Sequence, residues 1–457
     1  MRVSSGNATA AADPANGIVV NNTGTSGGLV ISGDGGSSSN GSGGVIQNTT
    51  STGVVLTSTR DVSLGFVNVV NSGDDGIHAN AVANFALNRA NVNNNGNSTS
   101  DDGLQFGEAS GSVVGVLGTV SVTNTSVSAN AHNGFWLRNT SGTLSSFTVS
   151  GSTFNDVNDT TGANAFLFEG SGTSTLTSGT ISGSTFQNNT PQRALEVQAH
   201  ETATVGTMTV SGNTFVNNGI QASFTQDTSA NLTFKFINNG SVATPMTGSL
   251  LQNVNVFSSS QSTGGTLVGT ISGNRIGNPA VAGSAGGAAV SAVIQGQTKA
   301  TLLIDNNFVR QTDGDSRAIG VAFRGPAPPA ATSIGPNTVV SDLTITNNDV
   351  VPGAAPSGFP LSTIMVEADN QTGADNKSPT VRADIRGNAV PTTPVFDLVS
   401  TQIGFFEYDQ TGAHGIGQLV DTAPASANAT AQLTSTNTGT ASAFGVSVIP
   451  GPITTPP

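Results

Sequence analysis

The sequence predicts an all-β fold, a right-handed parallel β-helix (solenoid) of about 11 or more coils. Three observations predict it. A short phrase returns along the chain, each return carries a second apolar cluster, and the composition favours strands over helices.

The phrase is an apolar or β-branched residue followed by Ser-Gly-Asn or a relative, then another apolar residue and often Asn-Asn. It reads Val149-Ser150-Gly151-Ser152-Thr153-Phe154, then Ile181-Ser182-Gly183-Ser184-Thr185-Phe186, then Val210-Ser211-Gly212-Asn213-Thr214-Phe215. Degraded copies start at Ile237, Ile271, Ile304, Ile345 and Ile385, and earlier echoes at Leu64, Leu87 and Val122. Successive starts lie 23, 35, 27, 32, 29, 27, 34, 33, 41 and 40 residues apart. Self-similarity at this period marks a stacked array, each period being one unit that buries its apolar face only against its neighbours.

The second cluster places another strand in each period. Ile77, Leu104, Phe135, Phe166 and Leu195 recur at steps of 27, 31, 31 and 29. Such short alternating runs between Gly and Asn are strands, too brief for helices. A third run leads into the next phrase, as in Met208-Thr209-Val210. Stacked in register, these runs predict inward columns, one of Ile77, Leu104, Phe135, Phe166 and Leu195, another of Val149, Ile181, Val210, Ile237 and Ile271. Asn188, Asn217, Asn238, Asn306 and Asn347 are read as turn and ladder residues, because Asn tolerates left-handed backbone and stacked amides bond along a column.

Composition bounds the function. Charged residues are 9% of 457, with 58 Gly and 35% hydrophobic residues. The net charge of −13 repels phosphate backbones and argues against nucleic acid. Absence of cysteine excludes a disulfide scaffold and a thiolate metal site. No apolar run reaches membrane-spanning length, so no membrane insertion of this segment is expected. The first six residues lack the apolar core of a signal peptide. With a Pro-rich end at 449–457, the chain reads as part of a longer one. The expected organisation is an N-terminal extension over 1–16, the β-helix over 17–425, and a last coil or C-terminal linker over 426–457.

Stacking turns period into columns, and one region concentrates chemistry. Asp74-Asp75-Gly76, Asp101-Asp102-Gly103 and His132-Asn133-Gly134 precede the second strand in three consecutive coils. One column is Asp74, Asp101 and His132; the next is Asp75, Asp102, Asn133, Asn164 and Arg193. Clustered carboxylates raise one another's pKa or bind a cation, making Asp74, Asp75, Asp101 and Asp102 a candidate Ca²⁺ site. Asp-Asp-Gly is also an ordinary solvated turn. No other cofactor is indicated. The outward row of the second strand is His78, Gln105, Trp136, Leu167 and Glu196, with Arg138 in the row beyond. His78, Trp136, Arg138 and Glu196 are the candidate ligand-binding residues. Trp136, the chain's single Trp, either covers a neighbouring loop or offers a sugar-stacking platform.

The repeat resembles that of the pectin-lyase-like superfamily of right-handed parallel β-helices. In its Ser/Thr/Gly/Asn-rich form it resembles passenger domains of bacterial surface and autotransporter-type proteins, over about residues 17–425. That resemblance implies a fold that hosts lyases, hydrolases and inert stalks alike. The acidic patch is similar to the active face of polygalacturonase-type hydrolases, with Asp75, Asp101, Asp102, His132 and Arg138 as candidate catalytic residues. It departs in having Ala131-His132-Asn133-Gly134 in place of Gly-His-Gly, Ser72-Gly73-Asp74 in place of Asn-X-Asp, and no Arg-X-Lys. The function expected is an exported or cell-surface β-helix segment with a structural or adhesive role, binding polysaccharide or a cell-surface partner protein. The alternative is a polysaccharide-degrading enzyme, a glycoside hydrolase or lyase, acting through Asp74, Asp75, Asp101, Asp102 and His132.

Overall fold

Each copy of the phrase folds as a strand end, a left-handed turn and a buried rung. The computed structural model describes residues 4–5, 13–24, 27–155, 163–191, 193–310, 317–324, 339–351, 363–369, 379–390, 403–408, 416–421, 424, 426–438, 441–444 and 446–457. Contacts divide the chain into two units, Met1–Gln221 and Ala222–Pro457. Each is a parallel β-helix segment in which successive coils add one strand to each sheet.

In the first unit one sheet runs through the short strands Val67–Val70, Asn91–Asn93, Ser126–Ser128, Thr153–Asn155, Thr185–Gln187 and Thr214–Val216. A second runs through Ile77–Asn80, Leu104–Phe106, Phe135–Asn139, Asn164–Gly170 and Arg193–Ala199, and a third through Val82–Asn88, Val116–Thr123, Thr143–Ser150, Thr175–Ser182 and Thr204–Ser211. Neighbouring strands in all three are parallel. Pairing joins Ile77 to Leu104, Phe135, Phe166 and Leu195 in turn, as the period predicts, and all five are fully buried. Phe154, Phe186 and Phe215 stack face to face in the first sheet, with centroids 4.9 and 5.1 Å apart. Fully burying one such side chain is worth about 1.5–3 kcal/mol.

In the second unit the corresponding strands include Val254–Ser258, Val290–Ile294, Ile319–Arg324 and Ile364–Asp369 in one sheet. Asn231–Ile237, Thr266–Ser272, Lys299–Asp305, Val340–Thr346 and Thr380–Arg386 lie in another. A short sheet joins Arg275–Ile276, Phe308–Arg310 and Asp349–Val351. The one helix among the described residues, Ala429–Thr436, is capped by Asn428, whose side chain accepts from the Ala431 N–H, and it buries Leu433.

One expectation is corrected by one residue. Val149, Ile181 and Val210 pair as predicted. Ile237, however, pairs with Ser272 and is half-buried, while Phe236 takes the inward place opposite Ile271. Two adjacent apolar residues hid the phase there. The turn asparagines behave as expected at Asn188 and Asn217, which have φ of 58° and 54° and donate from Nδ2 to Oδ1 of Asn155 and Asn188 in the preceding coil, at 3.0 and 3.4 Å. In the Asn-Asn pairs of the second unit the two residues divide their work. The first Asn makes the turn, with φ of 53° at Asn238 and Asn306 and 57° at Asn347, where other coils use Gly183, Gly212, Gly273 and Gly387. The second is the buried rung.

Those rungs form a continuous ladder in the second unit. Both the backbone N–H and Nδ2 of Asn274 donate to Oδ1 of Asn307, at 3.1 and 2.9 Å. The same double bond joins Asn239 to Asn274, Asn307 to Asn348, Asn348 to Asn388 and Asn388 to Asn437. Nδ2 of Asn274, Asn307, Asn348, Asn388 and Asn437 also reaches a carbonyl one coil away, as Asn307 does to Ile271 at 2.9 Å. Buried amides are thereby satisfied without water, the condition under which they stabilise rather than cost.

Candidate functional site

The column ahead of the second sheet is built as a ladder of the same kind, with carboxylates in two rungs. Oδ1 of Asp75 accepts the N–H of Asp102 at 2.7 Å, Oδ1 of Asp102 accepts that of Asn133 at 2.8 Å, and Oδ1 of Asn133 accepts that of Asn164 at 2.7 Å. Side-chain exposure is 3% for Asp75 and 0% for Asp102. These acids therefore serve first as backbone acceptors inside the wall.

Each carries a histidine. Nδ1 of His78 lies 2.9 Å from Oδ2 of Asp75, and its Nε2 lies 3.1 Å from Oε1 of Glu108. Nδ1 of His132 lies 2.8 Å from Oδ1 of Asp102 and 2.7 Å from Nδ2 of Asn133. Oδ2 of Asp102 is buried and has no hydrogen-bond partner among the described residues. Burial pushes the Asp75 carboxyl up to about 6, against the opposing His78 hydrogen bond. Burial likewise raises Asp102, although His132 and Asn133 work to lower it. Burial alone would depress His78; the Asp75 hydrogen bond and the charges of Asp75 and Glu108 outweigh it, leaving the imidazole above its ordinary value. The result is two stacked acid–imidazole pairs whose carboxyls hold their protons more tightly than exposed ones.

The remaining candidates separate from this pair. Asp74 accepts from the Thr52 hydroxyl at 3.1 Å. Asp101 closes a turn, its Oδ2 accepting the N–H groups of Asn97 and Ser98 at 2.9 Å each. Among the described residues no three acidic or histidine side chains are grouped so as to hold a metal ion. The outward row pairs as predicted, His78 to Gln105, Trp136, Leu167 and Glu196. It is not uniformly open. Glu196 is buried, accepting from Asn164 Nδ2 at 3.1 Å, with Arg193 Nη1 at 3.5 Å. Trp136 is half-buried, and its Nε1 has no hydrogen-bond partner among the described residues. Arg138 pairs with Glu169 at 2.7 Å and donates to the Glu108 carbonyl at 2.9 Å.

Glu108 was missed from the sequence. It lies outside the strands, and no period ties it to His78. The chain matches no protein-family model, no curated protein and no solved structure.

Proposed function

We propose that this chain is an exported or cell-surface β-helix segment with a structural and adhesive role. It would engage polysaccharide or a cell-surface partner protein through the outer face around Trp136, Leu167 and Arg138. The observation that carries this reading is the burial of Asp75 and Asp102: both oxygens of Asp75 and Oδ1 of Asp102 face backbone N–H groups and imidazoles, and Oδ2 of Asp102 is buried. A hydrolytic pair needs two carboxyls open to substrate from opposite sides of the scissile bond. An array of stacked coils instead presents side chains in rows, suited to multivalent contact with a repeating ligand.

One observation favours the alternative, a polysaccharide-degrading enzyme. His132 is one-quarter exposed and held by a fully buried carboxylate, an arrangement that orients an imidazole for proton transfer. A reducing-end assay over pectic and bacterial glycans decides between them, run beside retention on the same immobilised glycans and on cells. We expect retention that is lost in Trp136→Ala, and no new reducing ends. Reducing ends that accumulate with wild type and vanish in Asp102→Asn would overturn the adhesive reading.

A further inference from the structure

Both ring nitrogens of His78 face a carboxylate oxygen. Nδ1 meets Oδ2 of Asp75 at 2.9 Å, and Nε2 meets Oε1 of Glu108 at 3.1 Å. A carboxylate only accepts, so each contact is a hydrogen bond only while a proton lies in it. Two protons satisfy both contacts, whether on the two ring nitrogens or on Nε2 and the Asp75 carboxyl. One proton cannot, because a ring lone pair then faces an anion. The two acids differ in what happens next. The Asp75 side chain is 3% exposed and that of Glu108 is 45% exposed, so water replaces the imidazole readily only at Glu108.

Glu108 anchors a loop. Gly107 leaves the second sheet by donating to the Ala79 carbonyl at 2.8 Å. Over residues 108–112, Glu108 makes every hydrogen bond that the segment has among the described residues. Its carboxylate accepts from His78 and Asn80, and its carbonyl from Arg138. Residues 109–112 are exposed. Val113 rejoins the wall, its N–H donating to the Thr140 hydroxyl at 2.7 Å. The charged groups around His78 are few. Asp75 lies in the turn ahead of the strand, with Asp102 acting on it from the next coil, and Asp74 is turned to the Thr52 hydroxyl. Glu108 lies in the loop, with Arg138 on its carbonyl. The strand neighbours, Val55 and Gln105, are uncharged.

We propose that His78 is a proton-operated latch. Protonated, it pins Glu108 to the wall and orders the loop 108–112. With one proton fewer, Glu108 turns to water and the loop loosens at the outer face beside Arg138. Nothing in the latch depends on the adhesive reading above. Burial opposes a charged ring here, but the Asp75 hydrogen bond and the charges of Asp75 and Glu108 outweigh it. The Glu108 bond is therefore complete below the ordinary value of 6.5 and lost as pH rises through the raised one.

The chain has no cysteine, so Ser110→Cys gives the whole protein a single thiol for a nitroxide spin label. Between about pH 6 and 9 the label should lose its slow spectral component in one step, at the midpoint of the His78 titration followed by imidazole NMR. In His78→Gln the step should vanish. Glu108→Gln should remove it in the opposite sense. An amide donates to a bare Nε2 and accepts from a protonated one, so the label stays slow throughout. His132→Gln, in the other acid–imidazole pair, should leave the step in place. Melting temperatures at the acid end check that each variant folds, and Glu108→Gln, at an exposed side chain, keeps the test decisive if His78→Gln does not. A label on the wild-type background that ignores pH overturns the latch. So does a step that survives in His78→Gln, one that His132→Gln removes, or a Glu108→Gln label that titrates like wild type.

Discussion

Asp75 accepts the backbone N–H of Asp102 at 2.7 Å, the same bond that Asn133 accepts from Asn164 two rungs further on. A carboxylate thus stands in a place where the fold elsewhere uses a neutral amide of the same shape. Charge is the only property of Asp75 that this rung does not need.

Asp75→Asn is therefore expected to stabilise the protein above about pH 6. Its carboxyl is raised from 3.8 to about 6, so the folded state holds the proton more tightly than the unfolded chain. The stability this supplies is full below about pH 4 and lost as pH rises through about 6. The displacement corresponds to roughly 3 kcal/mol at about 1.4 kcal/mol per pH unit, an upper value for a single group. His78, also raised, continues the same trend above its ordinary 6.5. Denaturation midpoints from pH 4 to 8 should fall for wild type and stay flatter in Asp75→Asn. A variant that parallels wild type would show that Asp75 is not the titrating group.

Neighbouring asparagines should respond in opposite ways. Asn307→Ala removes the acceptor of two Asn274 donors and the donor to the Ile271 carbonyl, all buried. Stranding such groups costs about 1–3 kcal/mol each, so a loss of about 3 kcal/mol or more is expected. Asn306→Gly, at φ 53° on the exposed turn, should stay within about 1 kcal/mol of wild type. Urea denaturation of the two variants checks the contrast; similar losses would mean that the two positions do not differ in role.

Calcium is expected to leave the melting temperature unchanged. Asp75 turns both oxygens, and Asp102 its Oδ1, to N–H groups and imidazoles, the Asp102 Oδ2 is buried, and Asp101 is engaged within its own turn. An ion bound only to the folded state would raise the midpoint with concentration. A rise with calcium that chelator reverses, and that the quadruple Asn variant of Asp74, Asp75, Asp101 and Asp102 lacks, would restore the metal reading.

Much of this architecture was legible from phase alone. In a stacked array one correct register propagates, so Ile77, Leu104, Phe135, Phe166 and Leu195, and likewise Asp75, Asp102 and Asn133, could be placed without coordinates. Phase failed where it was locally degenerate, as at Phe236 and Ile237, where two apolar residues satisfy the same pattern. Depth was also hidden. Sequence put Glu196 and Trp136 in an outward row, but whether such a side chain is covered depends on loops that obey no period.

The asparagine ladder also has a consequence for change over time. Its rungs from Asn274 to Asn437 are separated by 33, 41, 40 and 49 residues, yet each makes the same bonds. The stack counts rungs and is indifferent to how much chain lies between them. Insertions can therefore accumulate between rungs without disturbing the coil above or below. New surface can be tried on one coil at a time while the wall that carries it stays as it was.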